Sequence, residues 1–412
     1  MKARIHRGTK EIGGNCIEIS SNGKTIILDI GMPLTLAKNE EALLPNIDGL
    51  NSGDNPGLLG IIISHPHQDH YGLLPKVHSS IPVYIGKDAH AILEASAAFS
   101  PSGVLIENVE HYSHKVPFTI GPFNITPYLN DHSAYDAYSL LIEADGKTLF
   151  YTGDFRTHGR KSILFNELLS DGPKNVDVLL MEGTNISRQN NNTKTESNLE
   201  ADISEILQNT KGLGLAWFSG QNIDRFVTFY RAAKKSGRTM IVDIYIARIL
   251  DAIDNPMLPA PLTSDIRVFL PSRMRNKIIR DKSFDLVSPY YNKRIYLDEL
   301  KETPKKYLMT FRPVMATDLQ KANCLSNASL IYSMWEGYLE RDDNDIQAWC
   351  NNYDVNFKIS HTSGHSDLAG MQKLAESITP KKLIPIHTFY PELYSSHFDK
   401  VTIINDGEWC DI

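Results

Sequence analysis

The feature that most constrains this chain is a run of metal-ligand side chains directly after a buried strand. The apolar segment Leu58–Ile63 has the composition of a buried β-strand, and Ser-His-Pro-His-Gln-Asp-His follows it. Neutral imidazole and ionised carboxylate are good ligands for a borderline cation such as zinc. A short turn can direct the first two histidines to one side and the final Asp-His pair to the other, which would serve two ions. The alternative is a solvated polar loop, which so dense a run of ligands disfavours. The ligand candidates are His65, His67, Asp69 and His70.

Two more ligand candidates follow later strand-like segments. His132 comes soon after Phe123–Leu129, and Asp154 comes soon after Thr148–Tyr151. Gly153 precedes the aspartate and lets the backbone pass close to a site. Each residue alone would be an ordinary loop residue. Each becomes a strong ligand candidate because it follows the histidine cluster in this order.

Carboxylates also end two buried strand segments. Asp29 follows Thr25–Leu28, where it can orient a metal-ligand histidine from outside the ligand set. The alternative is that Asp29 caps the loop that follows. Glu182 follows the segment Val178–Met181 in the same way.

The alternation of strands and helices up to about residue 185 predicts an α/β layered domain, with a helix at Lys87–Ala97. A polar linker is predicted at Gln189–Lys194. A helix with Thr195 as its N-cap follows it, and alternating strands and helices then predict a second α/β lobe.

Near Phe357 the pattern of the first part returns. His365 lies in a loop after a predicted strand, Lys382–Ile386 is a strand that ends in His387, and Val401–Ile404 is predicted as the final strand. A second lobe inserted into the first explains this order. The predicted segments are 1–185 for the first part of the main domain, 186–350 for the insertion and 351–412 for the return segment.

The distribution of charge points to a polyanionic partner. The net charge of the chain is −7, yet Lys211–Arg312 contains 19 Lys and Arg against 10 Asp and Glu. Such asymmetry suggests that one segment meets a polyanion while the rest of the surface keeps the protein in solution. If Ser272–Lys282 is a helix, Arg273, Lys277 and Arg280 share one face that can follow a phosphate backbone. The alternative is a charged, solvated face without a partner.

Other classes of protein are disfavoured. No run of about 20 apolar residues exists, so no membrane-spanning helix and no membrane partner are expected. The first residues lack the apolar core of a signal peptide, which predicts a cytoplasmic protein. Cys16, Cys324, Cys350 and Cys410 are too scattered for a disulfide framework and are interpreted as reduced thiols.

Taken together, these residues resemble the β-CASP branch of the metallo-β-lactamase superfamily, and within it most closely the ribonuclease J family. The resemblance is carried by the His-x-His-x-Asp-His run and by four further stretches. These are Lys-Glu-Ile-Gly-Gly-Asn at 10–15, Tyr-Thr-Gly-Asp-Phe at 151–155, Glu-Gly-Thr-Asn at 182–185 and His-Thr-Ser-Gly-His at 361–365. It implies an α/β fold, a metallo-β-lactamase αββα sandwich with an inserted β-CASP α/β lobe.

The resemblance also implies a site. Its ligand sets for two Zn²⁺, with Mn²⁺ as the alternative, are His65, His67, His132 and Asp154 for one ion, and Asp69, His70, Asp154 and His387 for the other. Its catalytic residues are Asp69, Glu182 and His365. Its substrate-phosphate residues are Ser363, Gly364 and His365. Two departures stand out, because the family more often has an aspartate at Glu182 and Gly-Glu where this chain has Thr388-Phe389.

The function expected from this resemblance is metal-dependent cleavage of RNA, endonucleolytic or 5′–3′ exonucleolytic. A hydroxide activated by two ions would attack the phosphodiester, with Asp69 orienting or deprotonating the water and His365 stabilising charge or protonating the leaving oxygen. Single-stranded RNA is the expected partner, with DNA as an alternative substrate and a homodimer as the expected assembly. A DNA-processing β-CASP nuclease, a small-molecule metallo-hydrolase and a non-catalytic RNA-binding module are the competing interpretations.

Overall fold

The computed structural model describes residues 1–35, 40–99, 103–188, 193–340 and 345–412. The chain divides into two compact units, one formed by Met1–Thr193 with Gly364–Ile412 and the other by Lys194–Ser363. The second unit begins and ends later in the chain than the predicted insertion, which was expected to begin at residue 186 and to be followed by the return segment at residue 351. The second shift has a direct cause, since Asn356–Ile359 pairs in parallel with a strand of the second unit. Most of the predicted polar linker, residues 189–192, lies outside the described residues.

Strands and helices alternate along much of the described chain. The strands are β1 (Lys2–Arg7), β2 (Cys16–Ser21), β3 (Lys24–Leu28), β4 (Leu58–Ile62), β5 (Val83–Gly86), β6 (Val109–Tyr112), β7 (Phe118–Ile120), β8 (Phe123–Leu129), β9 (Tyr138–Ala144), β10 (Lys147–Tyr151), β11 (Val178–Glu182), β12 (Gly214–Trp217), β13 (Thr239–Asp243), β14 (Arg267–Phe269), β15 (Tyr307–Thr310), β16 (Ser329–Tyr332), β17 (Asn356–Ile359), β18 (Lys382–Ile386) and β19 (Trp409–Asp411). The α-helices are α1 (Gln68–Tyr71), α2 (Lys87–Ala97), α3 (Ser162–Asp171), α4 (Glu196–Asn209), α5 (Ile223–Lys235), α6 (Ile244–Ala252), α7 (Ser272–Asp281), α8 (Leu297–Glu302), α9 (Ala316–Ala322), α10 (Ile346–Asn352) and α11 (Leu368–Ile378). Short 3₁₀ helices lie at Leu74–Lys76, Phe284–Leu286, Ser288–Lys293, Pro304–Lys306, Pro313–Met315, Glu336–Tyr338 and Pro391–Ser396.

The first unit contains two sheets that pack face to face. Their strand orders are β19-β1-β2-β3-β4-β5-β6 and β18-β11-β10-β9-β8-β7. Alternate residues of each strand point inward, and the buried side chains of both sheets form one apolar cluster that includes Ile19 and Ile26 from one sheet and Leu140 and Leu180 from the other.

Helices cover the outer faces of this pair of sheets. On one side Ala89 and Leu93 of α2 join the cluster that contains Ile61 and Val83. On the other side the cluster combines α3, α11 and the outer face of the second sheet, through Phe165, Leu374 and Leu179 among others. The layers are therefore helix, sheet, sheet, helix, and the predicted αββα sandwich is confirmed.

The second unit is built on a parallel sheet with the strand order β14-β13-β15-β12-β16-β17. Helices connect its strands, as parallel pairing requires, and its buried side chains form a separate core. The first helix of this unit, α4, begins where the sequence predicted. Thr195 is its N-cap, with Oγ1 accepting a hydrogen bond of 3.1 Å from the backbone N–H of Asn198. The predicted α/β lobe is therefore confirmed.

The predicted final strand at Val401–Ile404 is wrong. Val401 makes a single bridge to Leu383 of β18, and the chain then leaves that sheet. Its end pairs with the other sheet instead, where β19 lies antiparallel to β1. The β-branched residues of this segment predicted a strand, but the segment connects two sheets. In the described part of the chain, every helix is too short or too polar to cross a bilayer.

Candidate metal centre

The strands of the first unit deliver most of the predicted site residues from their carboxyl ends. In the second sheet β10, β11 and β18 are parallel neighbours. Asp154 comes after β10, Glu182 is the last residue of β11, and His387 comes directly after β18. In the first sheet β3 and β4 are parallel, and they lead to Asp29 and His65. Parallel strands present their carboxyl ends at the same edge of a sheet, so residues distant in sequence meet there.

One group of potential ligands consists of three histidines. His65, His67 and His132 each offer a ring nitrogen, and these nitrogens lie within 4.8 Å of one another. His132 Nε2 is 3.1 Å from His67 Nδ1. On its other side, Nδ1 of His132 lies 2.7 Å from the carbonyl oxygen of Gly364. That carbonyl can only accept a hydrogen bond, so it fixes the proton on Nδ1 and leaves Nε2 as a free electron-pair donor.

The second group combines two carboxylates and two histidines. Asp69, His70, Asp154 and His387 offer ligand atoms that again lie within 4.8 Å of one another. His70 Nε2 is 3.2 Å from Asp154 Oδ2, and His387 Nε2 is 3.8 Å from Asp69 Oδ2. His387 adopts a positive φ of 51° at the end of β18, which turns its side chain out of the strand alternation.

Asp154 lies between the two groups. Its Oδ2 atom is 3.7 Å from His65 Nε2 and 3.9 Å from His132 Nε2, while its Oδ1 atom is 3.6 Å from His387 Nδ1. One carboxylate therefore faces ligand nitrogens of both groups. Gly153 has a φ of 54°, and a Cβ atom there would lie 2.7 Å from the carbonyl oxygen of Tyr138, so glycine is required beside this aspartate.

Burial and neighbouring charge set the protonation of these groups. Burial acts to raise the pKa of Asp154, but the imidazoles of His387 and His70 outweigh it and hold the pKa well below its usual value. Burial, reinforced by neighbouring imidazoles, holds the pKa of His65 and of His132 well below the usual histidine value. Ionised carboxylate and neutral imidazole are the forms in which these side chains bind metals.

Several buried atoms of the candidate ligands lack a hydrogen-bond partner and are suited to coordinate a cation. The Nε2 atoms of His65 and His387 and the Oδ1 atom of Asp154 have no hydrogen-bond partner within the part of the chain that the structure describes. A buried polar atom without a partner costs free energy. A cation coordinated by these atoms removes that cost, so the residues present fit a metal centre.

A carboxylate behind the ligands holds His70. Asp29 Oδ2 lies 2.7 Å from His70 Nδ1 and also accepts hydrogen bonds from the hydroxyls of Tyr151, at 2.5 Å, and Ser64, at 2.8 Å. The backbone N–H of Ser64 donates to Asp29 Oδ1 at 2.7 Å. This arrangement directs Nε2 of His70 towards Asp154.

A second histidine–carboxylate pair lies beside the ligand groups. His365 Nδ1 is 3.3 Å from Glu182 Oε1 and 3.7 Å from Asp154 Oδ2. Burial acts to lower the pKa of His365, but the carboxylates of Glu182 and Asp154 outweigh it and raise the pKa to about 9. The amide of Asn185 donates to the carbonyl oxygen of His365 at 3.0 Å and fixes the backbone of this residue. Thr184 Oγ1 lies 3.2 Å from His365 Nδ1.

The predicted phosphate residues are consecutive in the sequence. Ser363 is the last residue of the second unit, and Gly364 and His365 belong to the first. A Cβ atom at Gly364 would lie 2.6 Å from Ser133 Oγ, so the backbone passes close to the loop that carries His132. The predicted basic helix is α7, in the second unit. Arg273 and Arg280 are exposed and Lys277 is half-buried.

Comparisons with known proteins agree with this geometry. A model of the beta-lactamase superfamily domain matches residues 37–214, and a model described as a Zn-dependent metallo-hydrolase RNA specificity domain matches residues 352–396. The chain therefore carries a match to the beta-lactamase superfamily domain. It is similar to ribonuclease J, as the order of its motifs predicted.

The chain spans less than two thirds of the length of two ribonuclease J proteins that it resembles. Ribonuclease J of Sinorhizobium meliloti is 23% identical over 361 residues, which are 84% of this chain and 60% of the relative. Ribonuclease J of Helicobacter pylori is 27% identical over 274 residues, which are 60% of this chain and 38% of the relative. A crystal structure of a protein of unknown function from Enterococcus faecalis V583 superposes with a TM-score of 0.82, at 20% identity and with 99% of both chains covered, which supports the fold.

The predicted zinc dependence is confirmed by the description of the matching domain and by the buried His/Asp cluster. Sequence reasoning did not assign roles to Ser64, Tyr151, Thr184 and Asn185. All four stand inside or next to the motifs that carry the resemblance. That position was a signal, but only the fold reveals which atom each side chain contacts.

Proposed function

We propose that this protein is a metal-dependent phosphodiesterase that cleaves single-stranded RNA, endonucleolytically or from the 5′ end. The observation that carries the proposal is the convergence of two buried ligand groups on one carboxylate, Asp154, with a histidine–carboxylate pair next to them. RNA is the proposed substrate because the relatives are named ribonuclease J and because the matching return segment is described as an RNA specificity domain.

The proposed assignment of ligands follows the two groups. His65, His67 and His132 would hold one ion, Asp69, His70 and His387 would hold the other, and Asp154 would contribute to both sites. Support comes from the distances of Asp154 to nitrogens of both groups, 3.2 to 3.9 Å. The set of imidazoles and carboxylates suits zinc, with manganese as the alternative ion.

The proposed chemistry is in-line hydrolysis of a phosphodiester. When bound, the two ions supply an acidified water and stabilise the charge that develops on the phosphoryl group. Asp69 is the more accessible carboxylate of its group, with 14% of its side chain exposed, and it orients the attacking water and accepts its proton. His365 holds a proton against Glu182 and transfers it to the leaving oxygen as the P–O bond breaks.

The substrate is held in two ways. Ser363, Gly364 and His365 bind a phosphate near the reacting one, and the basic helix α7 binds the backbone further along through Arg273, Lys277 and Arg280. Contacts of this second kind carry no sequence information but contribute strongly to affinity.

The remaining proposals concern context. The second unit, Lys194–Ser363, is proposed to be the β-CASP insertion that the sequence predicted at 186–350 between the main-domain segments 1–185 and 351–412. The protein is proposed to work in the cytoplasm, because its four scattered cysteines are interpreted as reduced thiols. A homodimer is the proposed assembly.

Two other functions on the same fold differ from this one in substrate. A DNA-processing nuclease would use the same metal centre and the same phosphate contacts. A small-molecule hydrolase would have no use for the basic excess of Lys211–Arg312, which disfavours it.

The test is digestion of end-labelled single-stranded RNA and DNA of identical sequence, each with a 5′-monophosphate or a 5′-triphosphate. We expect metal-dependent cleavage of RNA that a chelator abolishes and zinc or manganese restores. Cleavage of DNA alone would replace this proposal by the DNA-processing function. Hydrolysis of thioesters or lactones without cleavage of either polymer would replace it by the small-molecule function.

A further inference from the structure

Two aromatic side chains are exposed immediately after the last metal ligand. Phe389 and Tyr390 follow His387 and Thr388, and 47% and 46% of their surfaces are accessible. The two residues before them are fully buried, at 0%. The backbone therefore leaves the ligand and within one residue turns two large apolar side chains towards solvent.

The segment that carries these rings is held on both sides. Before them, Thr388 Oγ1 accepts a hydrogen bond of 3.1 Å from the backbone N–H of Tyr390. After them, Tyr394 is fully buried, and its hydroxyl donates to the carbonyl oxygen of Met181 at 3.2 Å. The 3₁₀ helix Pro391–Ser396 connects these two anchors. The backbone that carries the two rings is thus held in a fixed turn before a substrate binds.

Nothing within the described residues explains this exposure as packing. In the described ranges, neither ring stacks on another aromatic ring or lies against a cationic side chain. Single exposed aromatics are common on protein surfaces, whereas contiguous exposed apolar side chains mark binding sites more often. Phe389 is two residues from His387, so its Cα atom lies within about 7 Å of the Cα atom of that ligand.

We propose that Phe389 and Tyr390 form a stacking platform for a nucleobase of the substrate next to the scissile phosphate. This inference rests on the proposed function and adds a base contact to it. Bases of single strands stack on aromatic side chains with little sequence preference, because every base has a flat π-face. Phosphate contacts alone cannot distinguish a nucleic acid from another polyanion, whereas a ring beside the reacting phosphate recognises the base.

The test compares the wild type and Phe389→Ala on a short single-stranded RNA and on a series of the same RNA in which one position at a time is abasic. For the wild type, we expect removal of one base near the cleaved bond to raise KM by about 5- to 150-fold, the range for one stacked base. Phe389→Ala should raise KM on the intact RNA by a similar factor. On that variant the abasic position should no longer matter.

Two controls isolate stacking from apolar packing. Phe389→Leu keeps the bulk of the side chain without the π-face, and it should behave as the alanine variant does. Trp409→Ala removes an aromatic of similar exposure, 45%, from β19, and it should retain the wild-type response to the abasic series. Tyr390→Ala is measured in the same way, and thermal unfolding with metal content checks that each variant is folded.

The outcomes separate this inference from the function on which it rests. Wild-type protein that cleaves no RNA overturns both. Wild-type protein that cleaves intact and abasic RNAs with equal KM, or a Phe389→Leu variant that matches the wild type, overturns the stacking platform and leaves the nuclease function intact.

Discussion

Asp29 Oδ2 lies 2.7 Å from Nδ1 of His70, and both side chains are fully buried. This carboxylate is not among the ligand candidates, yet it directs Nε2 of the candidate ligand His70 towards Asp154. The contact joins the end of β3 to the helical turn α1 and so links the ligand run to the sheet.

Replacing this carboxylate should weaken metal binding. We expect Asp29→Asn to lower zinc affinity by about 10- to 100-fold, because a neutral amide orients the imidazole less well and makes it a weaker ligand. Competition with a chromophoric chelator measures the affinity. Asp48→Asn, an exposed carboxylate in a loop, is the matched control and should retain wild-type affinity. Equal affinities in Asp29→Asn and the wild type would contradict this role.

Removing Asp69 should abolish cleavage. Asp69→Ala deletes one ligand of the second group and the carboxylate proposed to orient the water, so kcat on RNA should fall by several orders of magnitude. Asp48→Ala should cleave as the wild type does. Elemental analysis of the purified variant should show less metal per chain. Normal cleavage by Asp69→Ala would refute the two-ion mechanism.

The basic helix should act on binding alone. Changing Arg273, Lys277 and Arg280 together to Ala should weaken RNA binding and flatten its dependence on salt by up to about 2 in the slope of log K against log salt. Arg280 should contribute least, because its Nε atom already pairs with Asp281 at 2.8 Å. Fluorescence anisotropy over a salt series gives the slope.

A matched triple variant of the first unit serves as the control for the basic helix. This variant changes three lysines to Ala, at Lys2, Lys24 and Lys147. This variant should keep the wild-type slope, and both triple variants should cleave near the wild-type rate at saturating RNA. An unchanged slope in the α7 variant would mean that this face is only a solvated surface.

One prediction concerns the pH dependence of stability and involves a carboxylate outside the candidate metal centre. Glu18 on β2 accepts hydrogen bonds from Arg4, at 2.6 Å, and pairs with His6 at 2.7 Å. Burial acts to raise the pKa of Glu18, but these two partners outweigh it and lower the pKa below the usual 4.5. A carboxylate whose pKa is lower in the folded state stabilises that state above the unfolded pKa, and this contribution is lost as the pH falls through the folded pKa.

Glu18→Gln should therefore reduce the free energy of unfolding by about 1–3 kcal/mol at pH 7. The difference in the free energy of unfolding between the variant and the wild type should shrink as the pH falls below about 4.5, because Glu18 then becomes protonated in the unfolded wild-type chain. Urea unfolding of both proteins at several pH values, with chelator present so that metal loss does not contribute, measures it. A difference that grows towards acid pH would contradict this assignment.

The sequence predicted the elements whose signal is local. Helix α2 was predicted at its observed bounds, Lys87–Ala97, and the N-cap of α4 at Thr195, because helix periodicity and capping depend on neighbours in the chain. The strand predicted at Val401–Ile404 was wrong because strand formation does not depend on neighbours in the chain alone. Its β-branched residues favour a strand, but whether a strand forms depends on a partner strand that the local sequence does not specify.

The candidate site divides in the same way. The sequence by itself determined which residue types could bind metal, since the spacing of His65, His67, Asp69 and His70 after a buried strand is local and chemically specific. Only the tertiary structure decided how they meet. The parallel pairing of β10, β11 and β18 brings Asp154, Glu182 and His387 to one edge, and the buried contact of Asp29 with His70 joins residues 41 positions apart. Hydrogen bonds and close packing join residues that are distant in sequence. The sequence alone therefore indicates which residues are candidate ligands, and the fold determines which atom of each side chain faces the site.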